Sequence, residues 1–235
     1  MKSLIVAVIG VVGLATSAAA QVAGQGAGQG AAKVQVAIVE DVQGKVDGVE
    51  LMDYVVPGKV IKLGPKASVV LGYMKSCWRE TITGGLVVVG DEQSLVHQGD
   101  IQRVKVDCDA GAAQLSDREA SQSAATAFRT LSPRQETAAA PAPQLTLYGL
   151  SPVVEVKGGG TLVIDRIDLP GERYTLAIKR ESLLHGKFYD LTRAKKALTA
   201  GGTYTATLGA RSRTFKIAPN AAAGSTPIVG RLLRL

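Results

Sequence analysis

Short runs in which apolar and polar residues alternate dominate the chain from Val34 onward, and they predict β-strands. In residues 66–74, KASVVLGYM, neither set of alternating positions is clearly polar, which is typical of a strand in the middle of a sandwich or roll. From Leu145 the pattern returns in the runs VVEV, TLVIDRI, RYTLAIK, TYTATL and RTFKIA. The predicted fold class is therefore mostly β: two small β domains, a β-roll or sandwich followed by a β-sandwich, joined by a partly helical linker.

Pairs that contain glycine or proline separate the predicted strands. Asp47-Gly48 and Gly84-Gly85 are typical of two-residue hairpins, so we expect the chain to reverse at both. Further turns are predicted at Pro57-Gly58, Gly64-Pro65, Pro170-Gly171 and Gly201-Gly202. A short helix is predicted over residues 190–198, where Asp190 is placed to cap it and leucines share one face.

The first 20 residues have the pattern of a bacterial secretory signal peptide. Lys2 precedes an apolar run of about a dozen residues, and Ser17 to Ala20 form a small-residue site, so we expect cleavage after Ala20. The apolar run is shorter than the roughly 20 residues that a bilayer requires. The prediction is a periplasmic or secreted protein with no membrane span after cleavage.

Composition divides the remaining chain. Residues 21–32, QVAGQGAGQGAA, predict a flexible leader. Residues 33–110 predict the first all-β domain, and residues 144–235 predict the second. Residues 111–143 are polar and rich in alanine, and Ser116 followed by Glu119 has capping-box spacing, which predicts a linker with a short helix.

The chain has two cysteines, Cys77 and Cys108. In an exported protein a disulfide between them is favoured, and it would close a loop of about 30 residues. Two buried free thiols are the main alternative. A catalytic thiol pair is disfavoured because the C-x-x-C spacing is missing.

Two stretches resemble known families. Residues 37–85 contain the pattern V-x-G-x-V followed by G-x-x-I-x-L-G, and they resemble the extracytoplasmic sensor domain of FecR-type proteins. That resemblance implies a β-roll or sandwich used in envelope sensing or scaffolding. In the second half, LPGERYTLAI and LTAGGTYTATL are similar to the paired strands of immunoglobulin-like or fibronectin-like modules.

The formal net charge of +7 is divided unevenly. Residues 33–109 carry 9 basic and 11 acidic side chains, whereas residues 144–235 carry 14 basic and 6 acidic ones. Such a surplus can attract an anionic envelope polymer or an acidic protein; no aromatic residues interleave the charges, which argues against nucleic acid. A solubilising surface without a ligand is the alternative. The candidate anion-binding face consists of Arg193, Lys195, Lys196, Arg211, Arg213 and Lys216.

The sequence predicts no catalytic, cofactor or metal site. His97 and His185 lie in different predicted domains without metal-ligand spacing. Residues 158–160 are three glycines, but strand-type runs flank them, which favours a hairpin loop over a phosphate cradle. The carboxylates at 165, 168 and 172 are expected to be solvated or paired with basic neighbours rather than to bind calcium.

These observations favour a non-enzymatic exported protein of the cell envelope that binds, senses or scaffolds. Its expected partner is an envelope protein or an anionic envelope polymer, and no cofactor is expected. The alternative is a small periplasmic hydrolase with an unrecognised active site. An enzyme requires a concave pocket with convergent polar groups and perturbed titrating residues, which a scaffold does not.

Overall fold

The computed structural model describes residues 34–111 and 145–235, and these are mostly β, as predicted. The predicted signal peptide, leader and linker helix lie outside the described residues. The N-terminal part, residues 34–111, contains β1 Ala37–Gln43, β2 Val46–Asp47, β3 Tyr54–Val55, β4 Val60–Tyr73, β5 Trp78–Val89, β6 Ser94–His97 and β7 Asp100–Lys105.

The C-terminal part, residues 145–235, continues with eight strands and two short 3-10 helices, Arg180–Ser182 and Ile228–Gly230. The strands are β8 Thr146–Gly149, β9 Val153–Glu155, β10 Gly160–Arg166, β11 Arg173–Ile178, β12 Phe188–Asp190, β13 Thr203–Leu208, β14 Arg211–Ala222 and β15 Leu232–Arg234. Across both described parts, no helix reaches seven residues.

One antiparallel sheet forms the N-terminal part. Its strand order is β3-β1-β4-β5-β6, with β2 paired to β4 and β7 paired to β5. Val39, Leu71 and Ile82 are completely buried in its core. Residues 67–74 are almost all buried on both faces, because one face meets this core and part of the other meets the C-terminal part. The prediction for that strand is confirmed.

The glycine pair at Gly84-Gly85 bends a strand instead of ending it. β5 continues through both glycines, which have φ of +68° and +79°, and the register of β4 shifts opposite them between Leu63 and Ser68. The predicted hairpin at Gly84-Gly85 and the predicted turn at Gly64-Pro65 are therefore wrong. Both pairs belong to one irregularity that curves the two longest strands of the sheet.

The hairpin predicted at Asp47-Gly48 is also wrong. Val46 and Asp47 pair with Leu63 and Lys62 of β4, not with the residues that follow Gly48. The turn at residues 57–58 is confirmed, as are those at 170–171 and 201.

Two sheets form the C-terminal part. The larger has the order β11-β10-β13-β14-β8, with β8 parallel to β14; the smaller has the order β12-β9-β15, with β15 parallel to β9. Their shared core includes Leu162, Phe215 and Leu233. The helix predicted over residues 190–198 is wrong: Asp190 ends β12, its carboxylate accepts hydrogen bonds from Thr192 N and Arg231, and turns follow.

The small sheet has a second apolar face, which packs on the N-terminal part. Val153, Phe188 and Leu232 from this face form one buried cluster with Ile38, Met52 and Met74. The sheet is therefore covered on both sides, which explains why its strands read as apolar runs. The two parts are in contact, and their folding as independent domains stays a prediction.

Polar contacts reinforce this inter-part interface. The buried carboxylate of Glu40 accepts hydrogen bonds from Arg79 Nε and from the backbone N–H of Val229, both at 2.8 Å. Tyr54 donates to Glu155 Oε2 at 2.6 Å, and Arg234 Nε lies 3.5 Å from the same oxygen.

The disulfide between Cys77 and Cys108 is confirmed, with a Cα–Cα distance of 5.6 Å. It joins the beginning of β5 to the segment that leaves β7, and these strands are paired neighbours. The next residue, Asp109, accepts a hydrogen bond from Thr146 N at 2.9 Å. The disulfide therefore fixes the segment that follows β7, which contacts the C-terminal part through Asp109.

Candidate anion-binding groove

Two loops meet at one end of the larger C-terminal sheet. The loop before β10 and the β13–β14 hairpin border an open groove of about 500 Å³. We call it the basic groove; its lining residues are Lys157, Gly158, Gly159, Gly160, Thr161, Leu208, Gly209, Ala210 and Arg211. The hairpin loop predicted at residues 158–160 is wrong, because β9 and β10 belong to different sheets and do not pair. The glycines instead form a connection between the sheets, which is one wall of a concavity.

Glycines give this loop its path. Gly158 has φ of +122°, a conformation that residues with a Cβ rarely adopt. A Cβ on Gly159 would lie 2.8 Å from the carbonyl oxygen of Ile178, so only glycine allows the loop to approach the end of β11 so closely. The glycines also expose backbone next to the lysine and arginine side chains.

Basic residues collect at this end because a lysine or arginine lies at or near the ends of several strands there. Lys157 follows β9, Lys179 and Arg180 follow β11, and Arg211 begins β14. All four are exposed, as is Lys187, whose carbonyl oxygen accepts a hydrogen bond from Val156 N. Within the described ranges, no ion pair involves Lys179, Arg180, Lys187 or Arg211. Glu181 is the acidic residue of this loop cluster.

At the other end of the same sheet, the charges compensate one another. Arg166 Nε lies 2.9 Å from Asp168 and Nη1 lies 3.2 Å from Glu172. Arg173 pairs with Asp165 at 2.8 Å. The expectation that these carboxylates pair with basic neighbours is confirmed. No group of three or more potential metal ligands occurs in the described part of the chain.

The pKa values at this ion-pair end agree with the pairing. The hydrogen bond from Arg166 is the main cause that lowers the pKa of Asp168 to about 2. Burial raises the pKa of Glu172, but hydrogen bonds from Tyr204, Thr199 and Arg166 outweigh it and lower the pKa overall. Both carboxylates are thus held ionised, and they neutralise the neighbouring arginines.

The structure separates the six residues predicted as one anion-binding face. Arg213 is buried beside Phe215 on the inner face of β14, where it donates to Arg234 O at 3.4 Å, and burial lowers its pKa. Lys216 projects from the opposite face. Strand periodicity could have revealed this, because residues 213, 215 and 217 alternate with 212, 214 and 216.

Arg211 and the 193–196 segment lie at opposite ends of the sheet. Arg211 pairs with Leu208 at the groove, whereas Lys216 pairs with Thr203 at the ion-pair end. Ala197 O accepts a hydrogen bond from Tyr174 and Gly201 N donates to Ile217 O, which places Arg193, Lys195 and Lys196 near that second end. Of the six predicted residues, only Arg211 lines the basic groove. Sequence reasoning missed Lys157, Lys179 and Arg180.

The two histidines lie in different parts of the protein. His97 is an exposed residue at the end of β6. His185 Nδ1 lies 3.5 Å from Glu50 Oε2 and so adds a contact between the two parts. At the inter-part interface, burial is the main cause that raises the pKa of Tyr54, so its phenol is neutral and donates to Glu155.

Comparisons with known proteins give no relative: no family model, curated protein or solved structure matches the chain. None of the helices in residues 34–111 and 145–235 is long and apolar enough to cross a membrane.

Proposed function

We propose that the protein is a non-enzymatic, exported binding or scaffold protein of the cell envelope, and that its basic groove binds an anionic envelope polymer. The carrying observation is the segregation of charge in the C-terminal part. Basic side chains gather around a concave, glycine-lined groove at one end of the sheet, while the arginines at the other end are matched by carboxylates.

This arrangement suits an extended ligand with repeated negative charges. A single exposed contact between opposite charges contributes little, about 0 to 1 kcal/mol, so one isolated anion would be held weakly. Lys157 and Arg211 line the opening, and Lys179 and Arg180 directly follow the end of β11 that Gly159 approaches. A polymer can contact several of these four side chains at once. Backbone at Gly158 and Gly159 lets anionic groups approach closely, because no side chain shields it.

The disulfide supports the proposed location outside the cytoplasm, since structural disulfides persist in oxidising compartments. The N-terminal sequence pattern supports the same proposal and implies processing after Ala20. The FecR-like and immunoglobulin-like resemblances remain part of the proposal. They rest on the sequence patterns alone, because no family model, curated protein or solved structure matches the chain.

Two double charge reversals test the groove. Lys179→Glu with Arg180→Glu changes the net charge by the same amount as Lys195→Glu with Lys196→Glu, but the second pair lies at the other end of the sheet. We would measure binding of purified lipopolysaccharide and of heparin at several salt concentrations. The groove variant should weaken binding at least tenfold, and the matched control should change it much less.

Equal losses of polymer affinity in the two double variants would show that net charge, rather than the groove, attracts the polymer. Failure of the wild-type protein to bind either polymer at low salt would contradict the proposed function. Binding that does not fall as salt rises would also contradict it, because exposed charges are screened over about 8 Å at physiological ionic strength.

A further inference from the structure

One edge of the larger C-terminal sheet is open. β11 is the outermost strand of this sheet, and among the described residues it pairs with β10 alone. Arg166 N donates to Glu172 O at 2.9 Å, which fixes the alternation of hydrogen bonds along the two strands. The backbone groups of the even-numbered residues of β11 therefore face β10, and those of Arg173, Thr175 and Ala177 face outward. We call these outward N–H and C=O groups the open edge; they have no backbone partner within residues 34–111 and 145–235.

β11 lacks the features that usually protect an edge strand from pairing. Natural edge strands are short, carry lysine or proline, or are bent by a bulge. β11 has six residues in regular register with β10, and neither a charged residue nor a proline occurs between Arg173 and Lys179. By contrast, β8 at the opposite edge of the same sheet has four residues and an irregular register. The open edge is therefore a template on which a further strand can pair.

The apolar core beneath the open edge is incompletely covered. Tyr174 and Leu176 pack from β11 against the core of the C-terminal part, but both stay partly exposed. Leu183 packs against the same core from the connection between β11 and the smaller sheet, and it is partly exposed too. On the outer face of β11, Thr175 and Ala177 are exposed and small. An added strand would cover the apolar side chains and meet no bulky group on the outer face.

Charge decides which kind of strand fits the open edge. Lys179 and Arg180 directly follow β11, are exposed, and form no ion pair in the described part of the chain. At the other end of β11, Arg173 is matched by Asp165 at 2.8 Å. The C-terminal part carries 14 basic and 6 acidic side chains, so a second copy of it would bring a charge surplus of the same sign. A strand with acidic residues at its end would instead compensate Lys179 and Arg180.

The spacing of the outward groups selects a polypeptide as the ligand. The N–H and C=O groups recur at every second residue, about 7 Å along the strand, and another β-strand has the same repeat. We propose that an extended, acidic segment of a partner protein adds to β11 as a sixth strand of this five-stranded sheet. This interaction goes beyond the anionic polymer of the proposed function, although both ligands would contact Lys179 and Arg180.

A synthetic peptide is the probe for this interaction. It alternates valine and threonine over the length of β11 and carries two aspartates at each end. One control peptide has lysines in place of the aspartates. A second keeps the aspartates but is N-methylated at its two central residues, which interrupts both edges of the peptide strand. In fluorescence anisotropy with the full-length processed protein, the aspartate peptide should bind with a Kd of about 100 µM or tighter at low salt, and each control at least tenfold more weakly.

Hydrogen exchange measured by NMR locates the added strand. The outward N–H groups of Arg173, Thr175 and Ala177 should exchange slowly only when the aspartate peptide is bound. The N–H groups of Tyr174 and Leu176 already donate to β10, so their exchange should be slow in the free protein as well. Protection that is gained at alternate residues of β11 distinguishes strand addition from contact with the basic side chains alone.

Protein variants separate the backbone contribution from that of charge. Thr175→Pro removes an outward N–H at a position where an edge strand tolerates proline, so it should weaken peptide binding at least tenfold while heparin binding stays unchanged. Lys179→Glu with Arg180→Glu should weaken peptide binding. Lys62→Glu with Lys66→Glu, an equal charge change at exposed residues of the N-terminal part, should affect it much less. If Thr175→Pro fails to fold, the N-methylated peptide still decides, because it leaves the protein unaltered.

Four results would overturn the proposal. The first is no saturable binding of the aspartate peptide at about 1 mM, well above the expected Kd. The second is equal affinity for the N-methylated peptide, which would show that charge alone attracts it. The third is protection that is gained at another strand. The fourth is a dimer of the free protein in which the open edge is already protected, which would make a second copy the occupant. Heparin binding that persists without peptide binding would contradict this proposal and leave the proposed function intact.

Discussion

Replacement of Glu40 by alanine tests the inter-part interface at its most buried polar contact. Only 2% of the Glu40 side chain is exposed, and its two oxygens accept one hydrogen bond from each part, from Arg79 and from Val229 N. Gly72 makes room for it: a Cβ there would lie 2.6 Å from Glu40 Oε1. The carboxylate thus connects β1 and β5 to the 3-10 helix that precedes β15.

The expected loss of stability follows from the hydrogen bond that each partner of Glu40 loses. A hydrogen bond to a charged group contributes about 1.5–3 kcal/mol, and a buried N–H left unpaired costs about 1–3 kcal/mol. Val229 is buried and cannot regain a partner easily, whereas the Arg79 side chain is 37% exposed and can be hydrated. We therefore expect Glu40→Ala to lower the free energy of unfolding by about 2–4 kcal/mol. For a chain of this size that is a fall of about 5–15 °C in unfolding temperature.

Urea and thermal unfolding of the variants would measure this effect. Glu92→Ala is the matched control, because Glu92 pairs with Lys75 on the surface and its loss should change stability little. Glu40→Gln, which keeps an acceptor for Val229 N, should cost less than Glu40→Ala. The double variant with Arg79→Ala should be non-additive, because the two side chains are in contact. A cost for Glu40→Ala no larger than that of Glu92→Ala would refute this account.

Three further predictions concern single features. Replacing both cysteines by serine should lower the free energy of unfolding by about 3–4 kcal/mol, as measured in urea, because the disulfide joins residues 31 positions apart in sequence; an unchanged midpoint would contradict this. Gly85→Ala should destabilise more than Gly58→Ala. Both have φ of +79°, but a Cβ on Gly85 would lie 2.3 Å from His97 O, while one on Gly58 meets nothing within 4 Å. Equal decreases in the unfolding temperatures of the two variants would contradict the close approach at the bulge in β5. The pKa of Asp168 is lowered from its ordinary 3.8 to about 2, so its contribution to stability is present above pH 3.8 and is lost as the pH falls through 2. The stability difference between the wild type and Asp168→Asn should therefore shrink over that range in acid-unfolding curves, and a constant difference would exclude this role.

The strands and the disulfide could be predicted from sequence because local patterns encode them. Residues 66–74 and the runs after Leu145 alternate as strands do, and both cysteines lie next to paired strands. The glycine pairs could not be interpreted in the same way. Positive φ at Gly84-Gly85 serves a hairpin or a bulge equally well, and the choice depends on the register shift in β4, which is distant in sequence.

The candidate site was harder to predict for a related reason. Arg211, Arg213 and Lys216 are close in sequence, but the pleat sends Arg213 inward and Lys216 outward. Lys157, Lys179 and Arg180 are far apart in sequence, yet their strands end on the same side of the C-terminal part. Strand direction and pairing decide which charges meet, and neither is visible in local composition.

The connection between the two parts allows a last prediction. If residues 112–144 served only to tether independent domains, cutting them would release two fragments. The structure instead shows an apolar cluster that includes Ile38, Phe188 and Leu232, together with contacts from Glu40 and Tyr54 across the interface. We expect that cleavage at a protease site engineered within residues 112–144 leaves the fragments associated, because this interface stays buried.

Size-exclusion chromatography of the cleaved protein measures the association, and dilution measures its strength. The fragments should co-elute, and their unfolding should become dependent on concentration once the covalent connection is lost. Glu40→Ala in the cleaved protein should promote dissociation, whereas Glu92→Ala should not, because Glu92 lies outside the interface. Separation of two folded fragments at micromolar concentration would show that the contacts across the interface are too weak to act without the connection, and that the two parts are independent domains after all.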